Sequence, residues 1–153
     1  MVSRLRSLRK REAKQLLASL SEHYDIDPGS KVEVGELADR RVVLLNGRVE
    51  FLVEGDHYVP FLGGSHVGEL PRVVVDMGAV PYVCGGADVM APGVVEVDDF
   101  RAGDLVAVVD VNHGKALAVG RALVDGVEVE GLGRGKVVEN LHYVGDRVWR
   151  AST

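Results

Sequence analysis

Several groups of residues in this sequence have types and spacings that invite a chemical reading. Gly131-Leu132-Gly133-Arg134-Gly135-Lys136 suggests a phosphate loop, in which backbone amides wrap a phosphate and a lysine neutralises it. The spacing defeats that reading. Glu130 stands where the G-x-x-x-x-G-K pattern needs its first glycine, and Val137 replaces the Ser or Thr that would hold magnesium. What remains is a basic turn between strands, whose Arg134 and Lys136 could still meet an RNA phosphate. Gly63-Gly64-Ser65 falls one residue short of a serine-hydrolase elbow, because Val67 occupies the position of the closing glycine. It reads as a loop or a helix entry. Cys84 is the only cysteine, which excludes an internal disulfide and a multi-cysteine zinc site. His23, His57, His66, His113 and His142 include no i, i+4 pair and no H-E-x-x-H. Asp76 is the most tempting carboxylate, yet capping a following helix explains it. No coherent set of acid, base and nucleophile emerges, so no catalytic residue, metal or cofactor is expected.

The basic residues are more informative. The whole chain carries a net charge of -5, but residues 1 to 24 hold Arg4, Arg6, Arg9, Lys10, Arg11 and Lys14 against Glu12 and Glu22, a local balance of +4. The remainder, with 12 bases and 21 acids, stands at -9. Such asymmetry suggests a basic element that meets an acidic partner. Leu5, Leu8, Leu16, Leu17 and Leu20 recur at helical spacing, so Ser3 to about His23 is expected to be one amphipathic helix with its bases on the outer face. Two readings of that face stand: a solvated surface, or a contact with RNA or the ribosome.

The elements that position these groups follow from the punctuation. Arg41 to Leu45 and Val49 to Val53 flank Asn46-Gly47-Arg48, the strongest short signal for a hairpin, and Val32-Glu33-Val34 adds a strand. Phe61 to Gly68 is a connection, with a boundary near Leu70-Pro71. Val73-Val74-Val75 reads as a buried strand, Asp76 as the cap of a short helix containing Pro81, and Gly85-Gly86 as the end of that helix. Pro92-Gly93 then turns the chain into further strands. Leu105 to Val111 and Ala116 to Val124 follow, then an Asp125-Gly126 hairpin into an alternating Val127-Glu128-Val129-Glu130 strand. Val137 to Tyr143 and Val148-Trp149 close a small barrel or sandwich. Charges interrupt every apolar run, so no segment approaches the ~20 apolar residues of a membrane span, and a cytoplasmic protein is expected. Low Asn, Gln and Cys usage hints at a thermophilic source.

Three blocks in order carry a family resemblance: Asp76-Met77-Gly78-Ala79, then Gly86 to Val94, then Gly135 to Trp149. Together they resemble a PUA domain, the module named for pseudouridine synthases and archaeosine transglycosylases. The whole layout resembles the translation proteins related to the malignant-T-cell-amplified-sequence protein and to the amino-terminal part of ligatin. The fold class implied is α+β: a small α+β pre-PUA domain over residues 1–70, with a basic amino-terminal helix, then a PUA β-pseudobarrel over residues 71–153. The resemblance implies RNA binding without catalysis at Gly78, Ala79, Gly85, Gly86, Ala87, Met90, Pro92 and Gly93, closed by Lys136 to Tyr143. Arg72, Arg134, Lys136 and Arg147 are the expected cationic contacts, aided by backbone donors, because the surrounding sequence is acidic. It further implies work on the small ribosomal subunit, facing the acceptor end of tRNA in initiation or recycling, with a SUI-domain protein as partner. Two other roles stay open at this point, an accessory RNA-binding subunit in RNA modification and a protein-interaction adaptor.

Overall fold

A computed structural model describes residues 1–153, which divide into two compact units. The first comprises Met1–Glu69 with Arg147–Thr153, and the second Leu70–Asp146. The sequence reading places one boundary, after residue 70. The last seven residues, assigned there to the second domain, group with the first unit: Val148-Trp149 forms no strand but lies in helix α4 (Arg147–Ala151), where Arg147 pairs with Asp39 at 2.9 Å.

The first unit is a five-stranded antiparallel meander, in the order β1 (Ser3–Ser7), β2 (Val32–Leu37), β3 (Arg40–Leu45), β4 (Arg48–Glu54) and β5 (His57–Pro60). The β3–β4 turn forms as Asn-Gly predicts. Asn46 and Gly47 both take positive φ, 53° and 84°, a twist that matches the flanking strands. Asn46 Oδ1 also accepts the Lys31 amide at 2.9 Å, which ties the turn to the chain entering β2. Helix α1 (Lys10–Ser21) buries Leu16, Leu17 and Leu20 with Ile26, Val32, Val43, Leu45 and Phe51.

The expected helix from Ser3 is therefore shorter than its leucine spacing suggests. Residues 3–7 pair instead with β2, Arg6 opposite Val34 and Ser7 opposite Glu33, and the Leu8 amide donates to the Val32 carbonyl at 3.2 Å. Arg4 has φ 51°, incompatible with a right-handed helix, and Leu5 stands half exposed. Sheet pairing satisfies this backbone where a helix would have left its first amides open.

The second unit is a six-stranded sheet wrapped into a pseudobarrel, in the order β7-β11-β10-β9-β6-β8. The strands are β6 (Arg72–Val75), β7 (Val89–Met90), β8 (Val94–Val97), β9 (Leu105–Asp110), β10 (Ala116–Ala122) and β11 (Lys136–Tyr143). All pairs are antiparallel except β6 with β9. Val73, Val75, Val83, Val89, Phe100, Val106, Val108, Leu117, Val137 and Val138 fill its core. The expected strand at Val127–Glu130 is not formed. Gly126–Val129 is a single helical turn, α3, pinned where the Gly126 amide donates to the Phe100 carbonyl at 2.9 Å. A Cβ at Gly126 would come within 2.8 Å of the Asp98 carbonyl oxygen, so this close approach, which only glycine allows, overrides the period-two pattern after it. No helix is long and apolar enough to cross a membrane.

Candidate RNA-binding groove

The groove begins where β6 ends. Its valines are drawn into the core, and Asp76 follows at the strand's end, accepting the Ala79 amide on Oδ1 at 2.9 Å. That turn leads into α2 (Val80–Val83), with Pro81 inside the first turn, where its missing N–H costs nothing. The helix stops at Cys84 and the chain reverses through Gly85-Gly86-Ala87. Gly86 carries φ 94°, and a Cβ there would sit 3.0 Å from the Tyr143 ring, so two independent constraints require glycine.

β11 holds this loop from the other side. Asn140 Nδ2 donates to the Val83 carbonyl at 3.1 Å and the Ala87 carbonyl at 3.0 Å, and the Asn140 amide donates to Asp88 Oδ1 at 2.9 Å. Asp88 also pairs with Lys136 at 3.2 Å. The Asn140 amide, and after it Lys136, hold the Asp88 carboxyl below its ordinary value, so it is a carboxylate at neutral pH. Burial pushes the Cys84 thiol up, which disfavours the nucleophilic thiolate.

Between α2, the loop, β7 and the Ala91–Gly93 turn lies a groove of about 660 Å³, within the ~300–1,000 Å³ usual for ligand sites. It brings together eight residues expected from the sequence: Gly78, Ala79, Gly86, Ala87, Met90, Pro92, Gly93 and Lys136. Gly85 adjoins it without lining it. Three expected cations stand elsewhere. Arg72 lies at the opposite end of β6 from Asp76, bound by its Nε and Nη2 to Asp98 at 3.1 and 3.3 Å. Arg147 belongs to α4. Arg134 is exposed on the turn just before Lys136.

The amino-terminal bases are split between elements. Arg4 and Arg6 project from β1, Arg9 is extended at the helix cap, and Lys10, Arg11 and Lys14 lie exposed on α1. Arg4 pairs with Glu36 at 3.2 Å, both in solvent. Sequence reasoning missed Tyr82, Asp88 and Val89 as groove residues, and took Asp76 as a cap alone. An aromatic beside Pro81 in so short a helix was the available signal for Tyr82, which is 71% exposed.

A barrel of this topology, with a glycine loop clasped against its last strand, defines a PUA domain, here joined to a second α+β unit. The chain matches the PUA domain over residues 71–144 and a domain of unknown function, DUF1947, over residues 6–63. It is 36% identical over 151 residues, 93% of each chain, to an uncharacterized protein of Methanocaldococcus jannaschii. It is 28% identical over 133 residues to translation machinery-associated protein 20 of Saccharomyces cerevisiae, covering 80% of this chain and 74% of that one. Among solved structures, a hypothetical protein of the hyperthermophilic archaeon Pyrococcus horikoshii superposes with a TM-score of 0.84 at 32% identity, over 97% of this chain and 99% of that one. The chain belongs to one family with the Methanocaldococcus jannaschii protein, carries a PUA domain, and resembles translation machinery-associated protein 20 and the malignant T-cell-amplified sequence proteins.

Proposed function

We propose that this chain is an RNA-binding, translation-associated protein that holds RNA and performs no chemistry on it. In this reading the groove contacts structured RNA at an unpaired end, the tRNA acceptor end on the small ribosomal subunit, during initiation or recycling. A SUI-domain protein is the partner chain, and the site of action is the cytoplasm. The observation that supports it most is the glycine loop held open by Asn140 beside a groove walled by Tyr82 and Met90, surfaces suited to unstacked bases. The name of the yeast relative supports the link to translation. The exposed bases of β1 and α1 supply the long-range attraction to RNA, since the groove itself carries little positive charge. Filter binding with tRNA and with isolated small subunits at low salt tests this. Retention of both is expected, and failure of both to bind would refute the proposal.

A further inference from the structure

The donors that the glycine loop and Lys136 would bring to a phosphate in this groove are already engaged. The amides of Gly85, Gly86 and Ala87, which a glycine loop might offer to an anion, donate inward to Tyr82, Val83 and Tyr82 carbonyls at 3.1, 3.0 and 3.0 Å. Lys136 is the one cation lining the groove, and Asp88 holds it at 3.2 Å. Asp76 adds a second carboxylate whose Oδ2 has no protein partner. Two carboxylates against one ammonium leave the groove negative, and every internucleotide phosphate is negative too. The lining offers something else: Tyr82, 71% exposed, and Met90, 46% exposed, together with Pro92 and Ala79.

We infer that the groove takes an uncharged nucleoside unit of single-stranded RNA, base against Tyr82 and Met90, and turns phosphate away. Asp76 Oδ2 accepts a hydroxyl or amino hydrogen of that nucleoside, and the phosphates stay outside, near Arg134. This rests on the reading of the groove as an RNA site, and it reverses the expectation that loop amides and Lys136 meet the RNA backbone. Lys136 acts here by fixing Asp88, which in turn caps the Asn140 amide and keeps the loop in shape.

The test is a titration of the full chain, following the Gly86 and Ala87 amide signals and the Met90 methyl by NMR. The probes are adenosine, cytidine, a trinucleotide RNA without terminal phosphates, and inorganic pyrophosphate. The nucleosides and the trinucleotide are expected to shift these signals, and pyrophosphate at equal concentration is not. Asp88→Asn keeps an oxygen for the Asn140 amide but releases Lys136, so pyrophosphate affinity at the groove should rise about fivefold or more, the effect of one unit charge at contact distance. Asp76→Asn keeps the cap on Ala79 but exchanges an acceptor for a donor, so nucleoside affinity should fall about fivefold. Pyrophosphate shifting the wild-type groove as strongly as the nucleosides, or displacing the trinucleotide from it, would overturn the inference while leaving RNA binding intact. RNA that binds the chain yet leaves all three groove signals unmoved would overturn the RNA reading of the groove itself.

Discussion

The amino-terminal cluster of positive charge and the groove belong to different units of this molecule. The first fourteen residues present six cations on β1, the helix cap and α1, where only Arg4 has a carboxylate partner. The groove, by contrast, is bounded by two carboxylates and one restrained lysine, and its shape is fixed by five hydrogen bonds around the glycine loop. One region attracts without discriminating, because guanidinium and ammonium groups in solvent read only phosphate. On the proposed reading, the other discriminates without attracting from afar. A protein arranged this way should show a salt-dependent association and a largely salt-independent preference.

That contrast can be broken most forcefully at Gly86. Gly86→Val forces a branched side chain into φ 94° and against Tyr143, so it should cost the second unit about 3 kcal/mol and abolish the groove signals, leaving low-salt adhesion to RNA largely in place. Thermal unfolding with a gel shift at two salt concentrations measures both. Next comes reversal of Arg9 and Arg11 to glutamate: RNA affinity at low salt should fall about tenfold or more, with a flatter salt dependence, while folding and the groove's nucleoside preference stay unchanged. Ribosome binding left intact would show that the basic face is merely solvated. Asn140→Ala should destabilise by about 1–2 kcal/mol, as two carbonyls lose their donor. Hydrogen exchange at Gly85 to Ala87 should quicken, and discrimination among trinucleotides should weaken more than affinity does. The smallest effect is expected in the first unit. Tyr24 packs against Phe51 and His66, and burial, aided by Glu69, pushes its phenol up to about 12 from an ordinary 10. A folded-state pKa above the unfolded one favours the neutral form, so this contribution is intact below pH 10 and lost between pH 10 and about 12. The ring is only half-buried, so the loss should be about 1 kcal/mol, read as an alkaline slope in stability that Tyr24→Phe removes.

The parts visible in the sequence were those where a local rule and the tertiary fold agree. Asn46-Gly47 names its own turn, and Pro81 can occupy little but a first helical turn. Gly86 announced its conformation because no other residue fits. The misread segments are those where long-range pairing overrode a local period. Leu5 and Leu8 continue the helical spacing of Leu16 and Leu20, yet β2 captured that backbone; Val127 and Val129 alternate like a strand, yet Gly126 had to lie against Phe100. Within the site, the glycines were legible and the carboxylate chemistry was not. Asp88 and Asn140 meet only because β11 returns to the loop, and an ion pair that cancels Lys136 leaves no mark on composition.

The parallel pairing of β6 with β9 has a consequence for how the protein comes into being. Parallel neighbours need a crossover, and the segment between Asp76 and Asp104 that makes it contains α2, the glycine loop and β7. That crossover is only half a site, since the bond from Asn140 to Asp88 spans 52 residues and those to the loop carbonyls span 53 and 57. Contacts so distant in sequence form late. A ribosome making this chain thus releases the glycine loop well before the strand that shapes it, and the nascent protein has no complete groove until β11 has been made and has docked.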